Sequence, residues 1–112
     1  MDFLTSLGNY TKMELLSIEL NQIKGVLLNS IGNLSTKLNE LYLGVNKISG
    51  TIPIALQNLI NLIFLGMELN LFIGLMPIYF GKFQKMQVLY LLGNKLLGQI
   101  TSSFGNLTQL VV

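Results

Sequence analysis

The sequence predicts a curved, right-handed α/β-type solenoid, with short parallel β-strands on its concave side and 3₁₀ or irregular segments on its convex side. The first observation is a phrase of apolar residues that returns every 24 or 25 residues along the 112-residue chain. The second is that asparagine and glycine each fill one position in all four copies of the phrase. The third is that all seven apolar positions of each copy hold apolar residues, although only 51% of the chain is hydrophobic. We therefore expect the copies to stack around one continuous core.

We divide the chain, a single array over residues 1–112, into four full repeats and two partial ones. The full repeats cover residues 13–37, 38–61, 62–85 and 86–109, and the partial repeats cover residues 1–12 and 110–112. Solenoids need terminal caps with a polar outer face, and the sequence shows none. We expect the chain to be part of a longer array, marginally stable and prone to associate on its own.

Each recurring type of position within a copy has a physical reason. In the predicted strand, Leu41 and Leu43 point inward and Tyr42 points outward, because side chains alternate with period two. The predicted structural asparagine ladder consists of Asn21, Asn46, Asn70 and Asn94. An inward amide offers two donors and an acceptor to the backbone that it closes. The glycine column, Gly25, Gly50, Gly74 and Gly98, permits positive φ where the chain turns towards the convex side. One extra residue near 35–37 predicts a loop insertion.

Composition argues against catalysis. The chain contains no histidine and no cysteine, so the commonest general base, nucleophile and metal ligands are missing. Glu19 and Glu68 fall in one outward column, two strands and therefore about 10 Å apart, but an open sheet offers no pocket that would exclude water. We expect no enzyme activity, no cofactor and no metal site.

The net charge and the hydropathy exclude two further classes. The net charge of +2 comes from scattered lysines without arginine, and no basic stripe with interleaved aromatic residues predicts a nucleic-acid partner. The apolar run 62–80 is about the length of a membrane span, but Glu68, Asn70 and Pro77 interrupt it at repeat positions. Met1–Leu4 lacks the basic region and apolar run of a signal peptide. We expect no nucleic acid partner and no membrane contact by this segment.

The outward strand positions form the candidate partner-binding face. Tyr42, Phe64 and Tyr90 are predicted anchors, since exposed aromatic side chains give large contact area for little loss of rotamer freedom. Glu19 and Glu68 would act as polar selectors, and Gly66, between the two tyrosines, would leave a shallow notch at the centre. The full set is Ser17, Glu19, Glu40, Tyr42, Phe64, Glu68, Val88 and Tyr90. In the alternative, these residues merely tile a sheet and other repeats of a longer protein bind the ligand.

Three acceptor sequons for N-glycosylation share one slot of the repeat. They begin at Asn9, Asn33 and Asn106. This slot lies on the turn side, so any sugars would stay away from the strand face. The alternative is that Gly-Asn-Leu-Thr/Ser is simply the preferred turn chemistry of the repeat.

The stretch NSIGNLSTKLNELYLGVNKISGTIP, residues 29–53, resembles the plant-type leucine-rich repeat and looks most like ectodomains of plant innate-immunity receptor kinases. The resemblance covers residues 3–112. It implies recognition of a peptide or protein ligand, possibly with a co-receptor, at the extracellular face of the plasma membrane, in defence or developmental signalling. Any kinase activity would belong to a domain absent from this chain. Two alternatives remain: a secreted repeat protein that inhibits cell-wall-degrading enzymes, and an intracellular repeat scaffold.

Overall fold

The computed structural model describes residues 3–27 and 29–98. Its β-strands are β1 Leu15–Ser17, β2 Lys24–Val26, β3 Glu40–Tyr42, β4 Lys47–Thr51, β5 Phe64–Gly66, β6 Leu71–Leu75, β7 Val88–Tyr90 and β8 Lys95–Leu97. The remaining elements are one short helix, α1 Phe3–Leu7, and three 3₁₀ helices, Asn29–Asn33, Ile54–Asn58 and Ile78–Lys82. The end of the fourth repeat, the partial repeat 110–112 and the sequon at Asn106 lie outside the described residues.

The strands form two parallel four-stranded sheets, one from each half of the repeat. The first sheet has the order β1-β3-β5-β7 and the second the order β2-β4-β6-β8. In the first sheet Leu41 pairs with Leu16 on one side and with Leu65 on the other, and Leu65 pairs with Leu89. In the first sheet, equivalent residues of successive copies are therefore neighbours, whereas in the second sheet the register is offset and Gly50 pairs with Phe72. This register confirms the predicted solenoid of parallel strands.

The second sheet was not predicted, because the recurring glycine indicated turns in this half of the repeat. In β4 the side chain of Ile48 is buried between exposed Lys47 and half-buried Ser49. In β6 Phe72 is buried between two exposed apolar residues. Gly50 and Gly74 do have positive φ, of 81° and 88°, but they lie inside these strands. These two glycines therefore adopt positive φ within a strand and do not mark where it ends.

The core lies between the two sheets and the 3₁₀ helices. Its residues at or below 1% exposure include Leu38, Leu41, Leu43, Ile48, Leu56, Leu59, Leu62, Leu65, Met67, Phe72, Phe80, Met86 and Leu89. The corresponding residues of the first copy, such as Leu16 and Ile18, are only partly buried, because β1 has a partner strand on one side only. The middle copies therefore carry most of the hydrophobic stabilisation.

The 3₁₀ helices follow proline where proline is present. Pro53 has φ −69° and ψ 141°, and Pro77 has φ −63° and ψ 126°. Both hold extended backbone immediately before a 3₁₀ helix. The hydroxyl of Tyr79 links two helices by donating to the Pro53 carbonyl at 2.8 Å. Among residues 3–27 and 29–98, no helix has the length and apolar character needed to cross a bilayer.

Candidate functional site

The outward residues of the first sheet form three levels, which together we call the strand face. The levels are Leu15, Glu40, Phe64 and Val88; Ser17, Tyr42, Gly66 and Tyr90; and Glu19, Gly44, Glu68 and Leu92. Strand pairing sets the first two levels. Backbone hydrogen bonds just beyond the strands, such as Val45 N–H to the Glu68 carbonyl at 2.9 Å, set the third. All eight predicted partner-binding residues lie on this one face.

Three aromatic rings form a continuous row across the strand face. The rings of Tyr42 and Phe64 are stacked, with centroids 4.4 Å apart and an interplanar angle of 28°. The ring of Phe64 meets Tyr90 edge to face, at 5.2 Å and 81°. Both geometries are favourable for aromatic pairs and restrain the rings relative to one another. The sequence predicted three separate anchors, and the structure joins them into one platform.

Phe64 joins this row because Gly66 lacks a side chain. Phe64 belongs to the first level and the tyrosines to the second, so its ring must lean along the strand to lie between them. A Cβ added to Gly66 would lie 3.1 Å from Cε1 of that ring. The predicted notch at Gly66 is therefore wrong: the Phe64 ring covers it, and Gly66 is buried.

A second glycine makes room for a carboxylate. A Cβ added to Gly44 would overlap Oε1 of Glu68, so the Glu68 side chain lies across Gly44 towards the first repeat. Partial burial raises the pKa of the Glu68 carboxyl, and the negative charge of Glu19 raises it further, while a backbone hydrogen bond acts in the opposite direction. Glu68 is thus a partly dehydrated carboxylate beside the ring row.

Glu40 fixes one end of the row. The Tyr42 hydroxyl donates a 2.7 Å hydrogen bond to Oε1 of Glu40. This bond, together with partial desolvation and the charge of the carboxylate, raises the pKa of Tyr42 to about 12. The tyrosine is therefore neutral, and its hydroxyl oriented, throughout the physiological range. Glu40, on the first level, therefore positions the ring of Tyr42 on the second level.

The strand face is acidic although the chain is not. Three of the five acidic residues of the chain, Glu19, Glu40 and Glu68, lie on this face, and none of the seven lysines does. In the described part of the chain no carboxylate forms a salt bridge with a lysine. The three charges are therefore not neutralised within the face. The arrangement can hold an apolar or cationic group, and it provides no enclosed pocket for acid-base catalysis.

The asparagine column supports the sheet from behind. Oδ1 of Asn70 accepts from Ile48 N–H at 3.1 Å, and its Nδ2 donates to the Leu43 carbonyl at 2.9 Å. One repeat later, Oδ1 of Asn94 accepts from Phe72 N–H at 3.0 Å. Each amide thus satisfies backbone groups of its own copy and of the preceding one, as buried polar groups require.

The ladder weakens at its first rung. Oδ1 of Asn46 accepts from the backbone N–H groups of Asn21 and Ile23, at 3.1 and 3.0 Å. Asn21 itself is exposed, and its side chain donates to the Glu19 carbonyl at 2.9 Å. The four asparagines therefore share a position in the repeat but not an environment.

The two described sequons are accessible and share a place on the turn side. Asn33 is the exposed last residue of a 3₁₀ helix, and Asn9 is exposed in the turn after α1. The predicted insertion after Asn33 is a compact turn. Its Ser35 side chain is buried, and the hydroxyl donates to the Thr11 carbonyl at 2.8 Å.

Ser17 and Val88 belong to the strand face, but neither takes part in the ring contacts or in the hydrogen bond between Tyr42 and Glu40. Ser17 lies beside Tyr42 in the register, and Val88 beside Phe64. Sequence reasoning missed Gly44 as a residue that shapes the face, and it predicted a notch at Gly66 where the structure places the Phe64 ring. The available signal was glycine at two outward positions where a strand favours larger side chains.

Comparison with known proteins shows that the chain is similar to leucine-rich-repeat proteins, among them a plant receptor-like kinase. A family model described as Leucine Rich Repeat matches residues 37–59 and 85–107. Over 68 residues the chain is 44% identical to the LRR receptor-like serine/threonine-protein kinase EFR of Arabidopsis thaliana, an alignment that covers 61% of this chain and 7% of EFR.

Two solved ectodomains have the same fold over most of the chain. The GASSHO1/SCHENGEN3 ectodomain of Arabidopsis thaliana, in complex with CASPARIAN STRIP INTEGRITY FACTOR 2, gives a TM-score of 0.86 with 37% identity, over 95% of this chain and 13% of that one. The Arabidopsis receptor kinase HAESA, in complex with the peptide hormone IDA and the co-receptor SERK1, gives 0.85 with 36% identity, over 95% of this chain and 18% of that one.

Proposed function

We propose that this leucine-rich-repeat chain, of the type found in plant receptor-kinase ectodomains, is a non-catalytic recognition segment that binds a peptide or protein ligand on its strand face. The observation that carries the proposal is the ring row of Tyr42, Phe64 and Tyr90, held on a rigid parallel sheet beside unpaired carboxylates. Solved neighbours of this fold hold peptide ligands. This favours the receptor interpretation over a secreted inhibitor or an intracellular scaffold.

The proposal extends to the larger protein only by similarity. The chain spans 7% of EFR and 13% of the GASSHO1/SCHENGEN3 chain. We propose that this segment works within a receptor-like serine/threonine kinase or receptor-like protein in defence or developmental signalling. Its place would be the extracellular face of the plasma membrane, and a co-receptor would join the complex, as SERK1 does with HAESA. Enzyme activity would belong to residues outside this chain.

Ligand binding is tested with the full chain secreted from plant cells. It is incubated with a peptide fraction of apoplastic fluid, and bound peptides are identified by mass spectrometry. The double variant Tyr42→Ala/Tyr90→Ala should lose the peptides that the wild type retains, because it removes both ends of the ring row. The matched control is Tyr10→Ala, since Tyr10 is 62% exposed and lies off the strand face. Equal retention by all three proteins would refute a binding role for this face.

The extracellular location is tested by glycosylation of the same secreted protein. Glycosidase treatment should lower its mass, and Asn33→Gln should remove one glycan because this exposed sequon is internal to the array. Asn58 occupies the same slot without a sequon, so Asn58→Gln should leave the mass shift unchanged. A secreted product with no glycosidase-sensitive mass would contradict the proposal.

A further inference from the structure

We propose that the strand face selects an extended peptide that carries arginine or lysine, with the cationic group packed against the ring row and paired with Glu68. This inference rests on the proposed function, since its occupant is the peptide ligand of that function, and it specifies the chemistry of that ligand. Its basis is the position of one unpaired carboxylate relative to one aromatic ring.

The geometry allows one cation to meet both groups. Oε1 of Glu68 and Cε1 of Phe64 lie 3.3 and 3.1 Å from the same point, the position of a Cβ on Gly66. A cation–π contact extends to about 6 Å from the ring centroid. The carboxylate oxygen and the ring edge therefore lie close to each other, and a guanidinium or ammonium group on the solvent side of the Phe64 ring can reach both. The planar guanidinium suits this site better, because it can stack on the ring and donate from its edge.

Charge on the strand face points to the same ligand. Its three carboxylates are not offset by any lysine on the face, whereas the whole chain carries a net charge of +2. The negative potential is thus a property of this surface and not of the protein. An approaching basic peptide would be attracted to it, and an acidic peptide repelled.

Glu40 and Glu68, the two acids near the ring row, have different roles. Glu40 already accepts the hydrogen bond of Tyr42, so it holds a ring of the platform in place. Glu68 is partly dehydrated and has no cationic partner in the described residues, and burial raises its pKa above the ordinary glutamate value. A bound cation would compensate that dehydration. Glu68 is therefore the residue expected to determine the preference for charge.

The test is a selection of random 12-residue peptides displayed on phage, run in parallel on the full chain and on two variants. Glu68→Gln keeps the shape of the side chain and removes its charge. Glu14→Gln is the matched control, because Glu14 is the one carboxylate among the described residues that lies outside the three levels. Wild type and Glu14→Gln should enrich arginine and lysine, and Glu68→Gln should not. Thermal melting of all three proteins confirms that each is folded.

A recovered peptide is then synthesised with arginine or with neutral citrulline at the enriched position. The arginine form should bind the wild type and Glu14→Gln roughly tenfold more tightly, as one charge-assisted contact predicts. On Glu68→Gln the arginine peptide should bind less than about twofold more tightly than the citrulline peptide. The difference between the two affinity ratios measures the interaction of Glu68 with the arginine of the peptide.

The outcomes separate this inference from the proposed function. Peptides that need Tyr42 and Tyr90 but show no basic preference would overturn the inference and leave the proposed function standing. A basic preference that survives Glu68→Gln would also overturn it. Failure to recover any peptide that needs the two tyrosines would overturn both.

Discussion

Replacing Asn70 by alanine should cost far more stability than the same change at Asn21, although both occupy the same position of the repeat. Asn70 is 4% exposed and bridges two copies. Its Oδ1 is the side-chain partner of Ile48 N–H, and its Nδ2 donates to the carbonyls of Leu43 and Met67, at 2.9 and 3.3 Å. Asn21 is exposed and makes one side-chain hydrogen bond as a donor.

The magnitude follows from which groups lose their last partner. Ile48 N–H becomes an unsatisfied buried donor, which costs about 1–3 kcal/mol. The carbonyls of Leu43 and Met67 each keep a second asparagine donor, from Asn46 and Asn94, so each loss is only about 0.5–1 kcal/mol. Asn70→Ala should therefore lower the free energy of unfolding by about 3 kcal/mol.

The exposed rung sets the reference. Water can replace the one side-chain donor of Asn21, so Asn21→Ala should cost about 0.5 kcal/mol. Both variants are compared with the wild type by urea unfolding followed by far-ultraviolet circular dichroism, at constant m-value. Sucrose in all samples keeps a weakened variant folded at zero urea. If the two substitutions lower the free energy of unfolding by amounts that differ by less than about 1 kcal/mol, burial of the asparagine does not determine its contribution to stability.

Three further changes test other contacts. Gly66→Ala should displace the Phe64 ring, cost roughly 1 kcal/mol in unfolding free energy and weaken the near-ultraviolet circular dichroism of the tyrosines; an unchanged spectrum would contradict the packing. The pKa of Tyr42, about 12 in the wild type, should fall in Glu40→Gln. Because the pKa of Tyr42 is raised in the folded state, its hydrogen-bonded hydroxyl contributes its full stabilisation below about pH 10, and this stabilisation is lost as the pH rises through about 12. Absorbance at 295 nm follows the titration. Tyr79→Phe should cost about 1 kcal/mol, because it removes one buried hydrogen bond, and an unchanged melting temperature would argue against that bond.

The first sheet could be predicted from the sequence because its constraint is repeated. Inward Leu41, Leu65 and Leu89 must all be apolar, and any slip in register would turn a whole strand outward. The second sheet has one repeated apolar column, Ile23, Ile48, Phe72 and Leu96, but it lacks the alternating second inward residue that Leu43 supplies after Leu41 in the first sheet. In β4 one buried residue, Ile48, lies between Lys47 and a serine, and a single inward residue does not distinguish a strand from a turn.

The sequence predicted which residues lie on the strand face, but it did not predict how their side chains contact one another. The register assigns Phe64 and Gly66 to different levels, and nothing in the sequence states which way a phenylalanine ring leans. Its direction depends on the empty space at Gly66. In the same way, the space at Gly44 determines where the Glu68 carboxylate lies. Both contacts run between levels or between strands, whereas the periodic pattern reports on one column at a time.

These two glycines link the fold to the chemistry of the strand face. Inward positions are fixed by the core, so outward positions can vary with little cost to stability. That independence fails where an outward side chain uses the space above a glycine. A larger residue at position 66 would move the Phe64 ring, and with it the edge against which Glu68 could hold a cation. The proposed preference for a cationic ligand would therefore depend on a glycine–aromatic pair, Gly66 and Phe64, which a column-by-column view of the repeat treats as two unrelated positions.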